Sequence, residues 1–194
     1  VKTRGGLVLV NEVTTGMGRT GAWFGHQHYG LSPDIVALGK GLGNGYPVSA
    51  TVVGPQVLAA IGEQEVAYAQ SHQNDPLGAA VAREVIVVLH DGNLVARGRQ
   101  VGTHLADSLR AIQVRTGCIT EIRSRGMMLA IDLSNQGDAF AARVHRDLVR
   151  SGYVVGRRPG AGVLRLDPAL TIARADIDGF LATLEPLLLA EDEG

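Results

Sequence analysis

Leu7-Val8-Leu9-Val10 is an unbroken apolar run between Gly6 and Asn11, and Ile35-Val36-Ala37-Leu38 repeats the pattern after Pro33. Short runs without polar alternation predict strands buried on both faces, the environment of a parallel sheet. Val48 to Val53 predicts a third strand, ended by Gly54. Only the Gly-rich stretch Gly39 to Pro47 joins the second strand to the third, and a parallel crossover needs about a dozen residues or more, so the third strand is expected to be antiparallel. Leu77 to His90 is rich in Ala, Val and Ile, follows Pro76 and has no internal breaker, which predicts a long, mostly buried helix ending at Asp91-Gly92. Asn93 then stands as the N-cap of an amphipathic helix running to about Gln113. Ile119 to Leu133 reads as two strands pivoting at Gly126, Asp138 to Arg150 as a helix, and Tyr153 to Val155 and Val163 to Leu166 as strands. Ile177, Phe180, Leu181, Leu184 and Leu188 fall on one helical stripe.

The 194 residues, 45% of them apolar, suffice for one large domain or two small ones. Residues 1–92 carry five Lys/Arg and seven Asp/Glu, against thirteen and twelve in 93–194, so the first part is expected to be buried or assembled against something. The boundary follows: 1–92 as part of a larger α/β domain with a long connecting helix, and 93–194 as a small α+β domain. Val1 is not an initiator Met and the first apolar run begins almost at once, which predicts a fragment or one piece of a split protein. No apolar run approaches the ~18 residues that a membrane span needs, and the N-terminus lacks a signal-peptide layout, so the expectation is a cytoplasmic protein without a membrane partner. A net charge of -1 without basic clusters argues against nucleic acid. Lone Cys118 excludes an internal disulfide framework or a Cys-rich zinc site.

Gly16-Met17-Gly18-Arg19-Thr20-Gly21 fits the spacing of a dinucleotide loop, but Gly25, Gly30 and Pro33 break the helix that should follow, and Asp34 comes too early for a ribose. It reads as a Gly-rich turn. Gly39-Lys40-Gly41 lacks the flanking residues of a phosphate loop, and His26 and His28 have no further ligand nearby, so no metal is expected. Ser71-His72 lacks a nucleophile elbow. Lys40 is different. It sits just past the carboxyl end of a buried strand among Gly39, Gly41, Gly43 and Gly45, the edge where ligands of open α/β sheets bind. Desolvation there would favour the uncharged amine that Schiff-base chemistry needs.

Asn11-Glu12-Val13, Thr15-Gly16-Met17-Gly18-Arg19-Thr20-Gly21, Phe24, His28-Tyr29-Gly30 and Pro33-Asp34-Ile35-Val36 through Gly39-Lys40-Gly41-Leu42-Gly43-Asn44-Gly45-Tyr46-Pro47 together resemble the pyridoxal-phosphate signature of class III aminotransferases. Asn74-Asp75-Pro76-Leu77, Ile122 to Met128 and Leu164 to Thr171 resemble later landmarks in the family's order. The resemblance covers nearly all of the chain but only the carboxyl-terminal half of the family, without its phosphate cup and ring-stacking aromatic. It implies an α/β fold, part of a fold type I large domain whose mostly parallel sheet has one antiparallel strand, followed by a small C-terminal α+β domain. It implies pyridoxal 5′-phosphate as cofactor, an amino donor and a 2-oxo acid as substrates, and a homodimer, with a separate chain as one possible source of the other half.

By the same resemblance, Lys40 is the lysine that forms the internal aldimine, Val13 packs against the ring, and Ser71 holds the cofactor phosphate of the neighbouring subunit. Arg165 resembles the arginine that pairs with a substrate carboxylate. Asn11 replaces the family's Asp at the pyridine nitrogen, and Thr14 a frequent Gln at the ring hydroxyl. A neutral Asn does not hold the pyridinium, so a racemase or epimerase stands beside aminotransfer as an alternative, as does a non-catalytic subunit.

Overall fold

The two apolar runs pair as neighbouring strands in the computed structural model of the chain, which describes residues 1–62 and 69–190. Strand β1 (Leu9–Asn11) lies parallel to β2 (Ile35–Leu38), with Leu9 opposite Ile35 and Asn11 opposite Ala37. Strand β3 (Ala50–Val53) runs antiparallel along the other side of β2, with Ala50 opposite Leu38, as the short Gly39–Pro47 link requires. The order β1-β2-β3 makes β1 an edge strand of this chain. Two expectations fail here. The strand is shorter than the apolar run, and Leu7 and Leu9 are exposed rather than buried on both faces. Apolarity records the surroundings a strand is built for, and a three-stranded sheet leaves its edge strand uncovered.

Helices α1 (Pro55–Gly62) and α2 (Pro76–Asp91) follow β3. Asp75 caps α2, its Oδ1 accepting from the Leu77 amide at 3.0 Å, and Pro76 occupies the first turn, where its missing N–H costs nothing. The expectation of a mostly buried helix is corrected: only Gly78 and Leu89 are buried, while Leu77, Ile86 and Val88 are exposed. Asn93 is corrected too. It adopts a left-handed conformation (φ 48°) and its amide donates to the His90 carbonyl at 3.0 Å, closing the end of α2 instead of taking the extended backbone of an N-cap.

The chain divides into two compact units, Val1–Val95 and Ala96–Gly194, with helix α3 (Leu94–Thr116) starting at the boundary. The second unit holds β4 (Glu121–Arg125), β5 (Met128–Asp132), α4 (Asp138–Arg150), β6 (Gly156–Arg158), β7 (Val163–Leu166) and α5 (Arg174–Leu189). Its four strands form an antiparallel sheet in the order β4-β5-β7-β6. Alternate residues Leu129 and Ile131 of β5 and Leu164 and Leu166 of β7 point into a core shared with Leu105, Leu109 and Ile112 of α3, Val144 and Leu148 of α4, and the Ile177-Phe180-Leu181-Leu184-Leu188 stripe of α5. The strand expected at Tyr153 to Val155 forms instead at Gly156–Arg158, where Gly156 pairs with Arg165. Tyr153 and Val155 pack against the core from outside the ladder.

Gly102 marks the tightest approach in this unit. A Cβ there would run into the Gly126 carbonyl oxygen and lie 2.6 Å from its carbonyl carbon, so α3 crosses the β4–β5 turn backbone against backbone. Gly126 itself holds φ 60° at that turn. In an open helix, Gly→Ala would stabilise by about 1 kcal/mol. Here the overlap outweighs the propensity gain, and Gly102→Ala is expected to destabilise by about 1–3 kcal/mol, read as a lower Tm by circular dichroism.

Candidate active site

Parallel pairing of β1 with β2 brings the carboxyl ends of both strands to one sheet edge, the edge where open α/β sheets bind ligands. Beyond β1 the chain turns at once. The Asn11 side-chain Oδ1 accepts from the Val13 amide at 3.0 Å, an Asx turn, and the Gly16 amide donates to the Glu12 carbonyl at 2.9 Å. The Glu12 amide keeps this turn against β2 by donating to the Ala37 carbonyl at 2.9 Å. Beyond β2, Gly39 is extended and Lys40 enters the left-handed region (φ 41°), opening a short 3-10 turn, Lys40–Leu42. A positive φ at a non-glycine residue is strained, and the surroundings enforce it. The Gly43 and Asn44 amides both donate to the Lys40 carbonyl, at 3.0 and 3.1 Å, and buried Leu42 anchors the turn. Gly43 is obligatory, because a Cβ there would overlap the Tyr46 carbonyl and lie 2.7 Å from Val48 Cγ1.

The two turns meet through side chains. Lys40 Nζ donates to Thr14 Oγ1 at 2.7 Å, and a Cβ on Gly39 would touch Val13 Cγ1 at 3.4 Å, so the Val13 side chain lies against the strand end that carries Lys40. Asn11, Val13, Thr14 and Lys40 therefore share one edge. Lys40 is exposed in this chain, so the expected desolvation is corrected: among the described residues, none covers the edge well enough to bury it. Ser71 is exposed in a turn, Ser71–Asn74. Arg165 belongs to the second unit, on β7, where its Nη2 pairs with Asp167 Oδ2 at 2.8 Å and 59% of the side chain is exposed.

Two features of the edge escaped the sequence. The first is an apolar cavity of about 420 Å³ lined by Met17, Trp23, Phe24 and Leu42 with Ile86 and Val87 of α2. The second is Glu12, which lies among motif residues but is only 1% exposed. Its Oε1 accepts from the His26 amide at 2.7 Å and lies 3.0 Å from His26 Nδ1; its Oε2 accepts from the Gly25 amide at 2.9 Å and from the Thr15 hydroxyl. Burial pushes this carboxyl's pKa up, but the hydrogen bonds from Thr15, His26 and Gly25 outweigh it and hold it below the ordinary value of 4.5. Glu12 is thus ionised at neutral pH, and His26 Nδ1 is the donor. The stability this pairing contributes is complete above the ordinary Glu range and is lost as pH falls through the depressed value.

Known proteins are similar to this chain in sequence and fold. The family model for class III aminotransferases matches residues 1–188. An acetylornithine aminotransferase of Mycobacterium tuberculosis is 40% identical over 187 residues, covering 95% of this chain and 44% of its own. An ethanolamine-phosphate phospho-lyase homolog of Caenorhabditis elegans is 40% identical over 199 residues, with 97% and 42% covered. Among solved structures, an Arthrobacter phospholyase in complex with phosphoethanolamine superposes with a TM-score of 0.89 at 28% identity, covering 98% of this chain and 47% of its own. An S-selective transaminase from Arthrobacter with alanine bound gives 0.88 at 25% identity, with 96% and 44% covered. The chain belongs to the class III aminotransferase family, and its mixed α/β fold is that of these neighbours. The chain spans about 44% of the length of the curated aminotransferase it matches. The sparse charge of its first part and the exposed apolar faces of β1 and α2 accord with a larger fold around them.

Proposed function

We propose that the protein carrying this chain is a pyridoxal-phosphate-dependent aminotransferase that moves an amino group between an amino acid or amine and a 2-oxo acid, with Lys40 holding the cofactor. One observation carries the reading: parallel β1 and β2 gather a primary amine, an apolar side chain, a carboxamide and a hydroxyl at one strand edge, with Lys40 Nζ 2.7 Å from Thr14 Oγ1. That donor set fits the cofactor. The Lys40 amine suits its aldehyde, Val13 the face of its ring, the Asn11 amide its ring nitrogen and Thr14 its ring hydroxyl. In this reading residues 1–92 are the carboxyl-terminal part of the large domain, 93–194 form the small domain, and the protein acts as a cytoplasmic homodimer in which Ser71 binds the phosphate held by the neighbouring subunit. No helix among the described residues is long and apolar enough to cross a membrane.

Pyridoxal phosphate, when bound, supplies an aldehyde that captures amines and a conjugated ring that withdraws electrons from the substrate carbon. The chain's own residues bind, orient and move the proton. Lys40 Nζ would hold the cofactor covalently and, freed by the incoming amine, would take the proton from the substrate α-carbon and deliver it to the cofactor's aldehyde carbon. Thr14 Oγ1 accepts from Nζ and keeps the amine aimed along the edge. Val13 covers one side of the site, and Asn11, whose Oδ1 is committed to the Val13 amide, has only its NH2 to offer as a donor.

The test is direct. The purified full-length protein is expected to absorb in the near-visible and to turn an amino acid plus a 2-oxo acid into the exchanged pair. A colourless protein that cannot be reconstituted overturns the reading. Because a phospho-lyase relative matches at the same 40% identity as the acetylornithine aminotransferase, O-phosphoethanolamine belongs in the assay, and phosphate release without amino exchange would select the lyase.

Arg165 is proposed as the partner of the substrate carboxylate. An exposed pair such as Arg165–Asp167 contributes at most about 1 kcal/mol, whereas a charge-assisted bidentate contact to a substrate contributes about 2 kcal/mol or more. Arg165→Ala should therefore lower kcat/KM by about 30-fold or more for α-amino acid donors and leave donors without a carboxylate little changed. An equal, small effect on both donor types would return Arg165 to the surface pair.

A further inference from the structure

Between the end of β1 and the Gly-rich turn that follows lies a buried charge with every oxygen satisfied. Glu12 receives four donors on two oxygens: Thr15 Oγ1 and the Gly25 amide on Oε2, the His26 amide and His26 Nδ1 on Oε1. Its own backbone is fixed at both ends, the amide on the Ala37 carbonyl and the carbonyl on the Gly16 amide, each at 2.9 Å. Packing around the carboxylate leaves no slack. A Cβ on Gly25 would lie 3.2 Å from Oε2 and 3.1 Å from Thr15 Cβ, and one on Gly16 would lie 2.8 Å from the Glu12 carbonyl oxygen. His26 is held in turn by stacking on Phe24, with ring centroids 5.6 Å apart and planes 13° from parallel.

Thr14 sits between the two tied residues, and its hydroxyl is the acceptor for Lys40 Nζ. We propose that Glu12 is the positioning residue of the Lys40 edge: by clamping Thr15, Gly25 and His26 to the end of β1 it sets where Thr14 Oγ1 stands, and through it where the Lys40 amine points. The proposal rests on the reading of Lys40 as the cofactor-binding lysine. A carboxylate is required, and an isosteric amide does not replace it. Whichever way a glutamine is turned, its NH2 faces a backbone N–H, that of Gly25 or that of His26, and two donors cannot pair. The hydroxyl of Thr15 can rotate and His26 can change tautomer, but an amide N–H cannot. A local shift of the corner is the only relief.

Lys40 and Lys2 are the two lysines of this chain, and Lys2 bonds to Asp34 and the Ser32 carbonyl without touching the Glu12 cluster, so it serves as an internal control. Two measurements on full-length wild-type protein and Glu12→Gln test the idea. In the first, the lysines are reductively methylated with carbon-13 formaldehyde and their NMR signals compared without cofactor. Glu12→Gln should move the Lys40 signal to the position of a free lysine while the Lys2 signal stays. In the second, pyridoxal 5′-phosphate is added below saturation, reduced with borohydride and mapped by mass. The ratio of label on Lys40 to label on Lys2 should fall by about tenfold or more, the scale of one unsatisfied buried N–H. A lowered Tm with both readouts unchanged overturns the proposal, since Glu12 would then hold the loop and nothing more. A moved NMR signal in a protein whose wild type takes no label on Lys40 supports the positioning role and refutes the cofactor reading instead. Should Glu12→Gln fail to fold, Thr15→Val removes one of the four donors and leaves the carboxylate on three, and an unmoved Lys40 signal in that variant overturns the proposal equally.

Discussion

Lys40→Ala is expected to leave the protein folded and to reduce amino transfer by about 10³-fold or more, because the variant loses both a covalent attachment point and a general base, and general acid–base catalysis alone contributes about 10²–10⁴-fold. Folding should survive because the side chain is exposed and its hydrogen bond to Thr14 Oγ1 is itself at the surface. The backbone conformation is less forgiving. Residue 40 holds φ 41°, which alanine tolerates no better than lysine, so Lys40→Gly should be the more stable of the two inactive variants. Borohydride reduction of the wild-type protein with pyridoxal phosphate, followed by peptide mapping, should place the label on Lys40. Label on Lys2 with Lys40 unmodified would refute the assignment, and full activity in Lys40→Ala would remove the proposed chemistry altogether.

The parts of the fold that were legible in the sequence are those set by local pattern or chain length. The antiparallel β3 followed from the shortness of Gly39–Pro47, the hairpin at Gly126 from the glycine that divides the stretch Ile119 to Leu133, and the burial of α5 from one stripe at helical spacing. Apolarity misled where it was taken to mean strand pairing. Tyr153 and Val155 are apolar because they pack on the core, while the ladder with β7 uses the less apolar Gly156–Arg158, whose register is set by Arg165 and Val163 opposite. Within the site, Lys40 could be singled out from its place after a strand and its glycine neighbours. Its approach to Thr14, 26 residues earlier, depends on the parallel pairing of β1 and β2, which no local pattern encodes. Glu12 was hidden for the same reason. A charged residue reads as solvated, and two of its donor residues, Gly25 and His26, lie 13 and 14 positions on and reach it only after the Gly16–Gly21 turn reverses the chain.

Asn11→Asp is expected to raise the rate of amino transfer. With Oδ1 accepting from the Val13 amide, the Asn11 side chain already serves the turn, and an aspartate would accept the same hydrogen bond equally well. The substitution therefore costs the fold little, and the exposure of residue 11 in this chain spares the new charge a desolvation penalty. What changes is the chemistry offered to a ring nitrogen. The carboxamide NH2 can only donate, which suits an unprotonated nitrogen, whereas a carboxylate can only accept and adds an attraction for the protonated one. A protonated ring withdraws electrons from the substrate carbon more completely, so Lys40 would remove the α-proton faster. Single-turnover half-reactions with an amino acid donor measure the rate, and nitrogen-15 NMR of labelled cofactor measures the proton. The expected pair of results is an unprotonated nitrogen with slow transfer in the wild type and a protonated nitrogen with faster transfer in Asn11→Asp. If the wild-type nitrogen is already protonated and the variant changes neither measurement, Asn11 is a turn residue alone, and some other group does what the family's aspartate does.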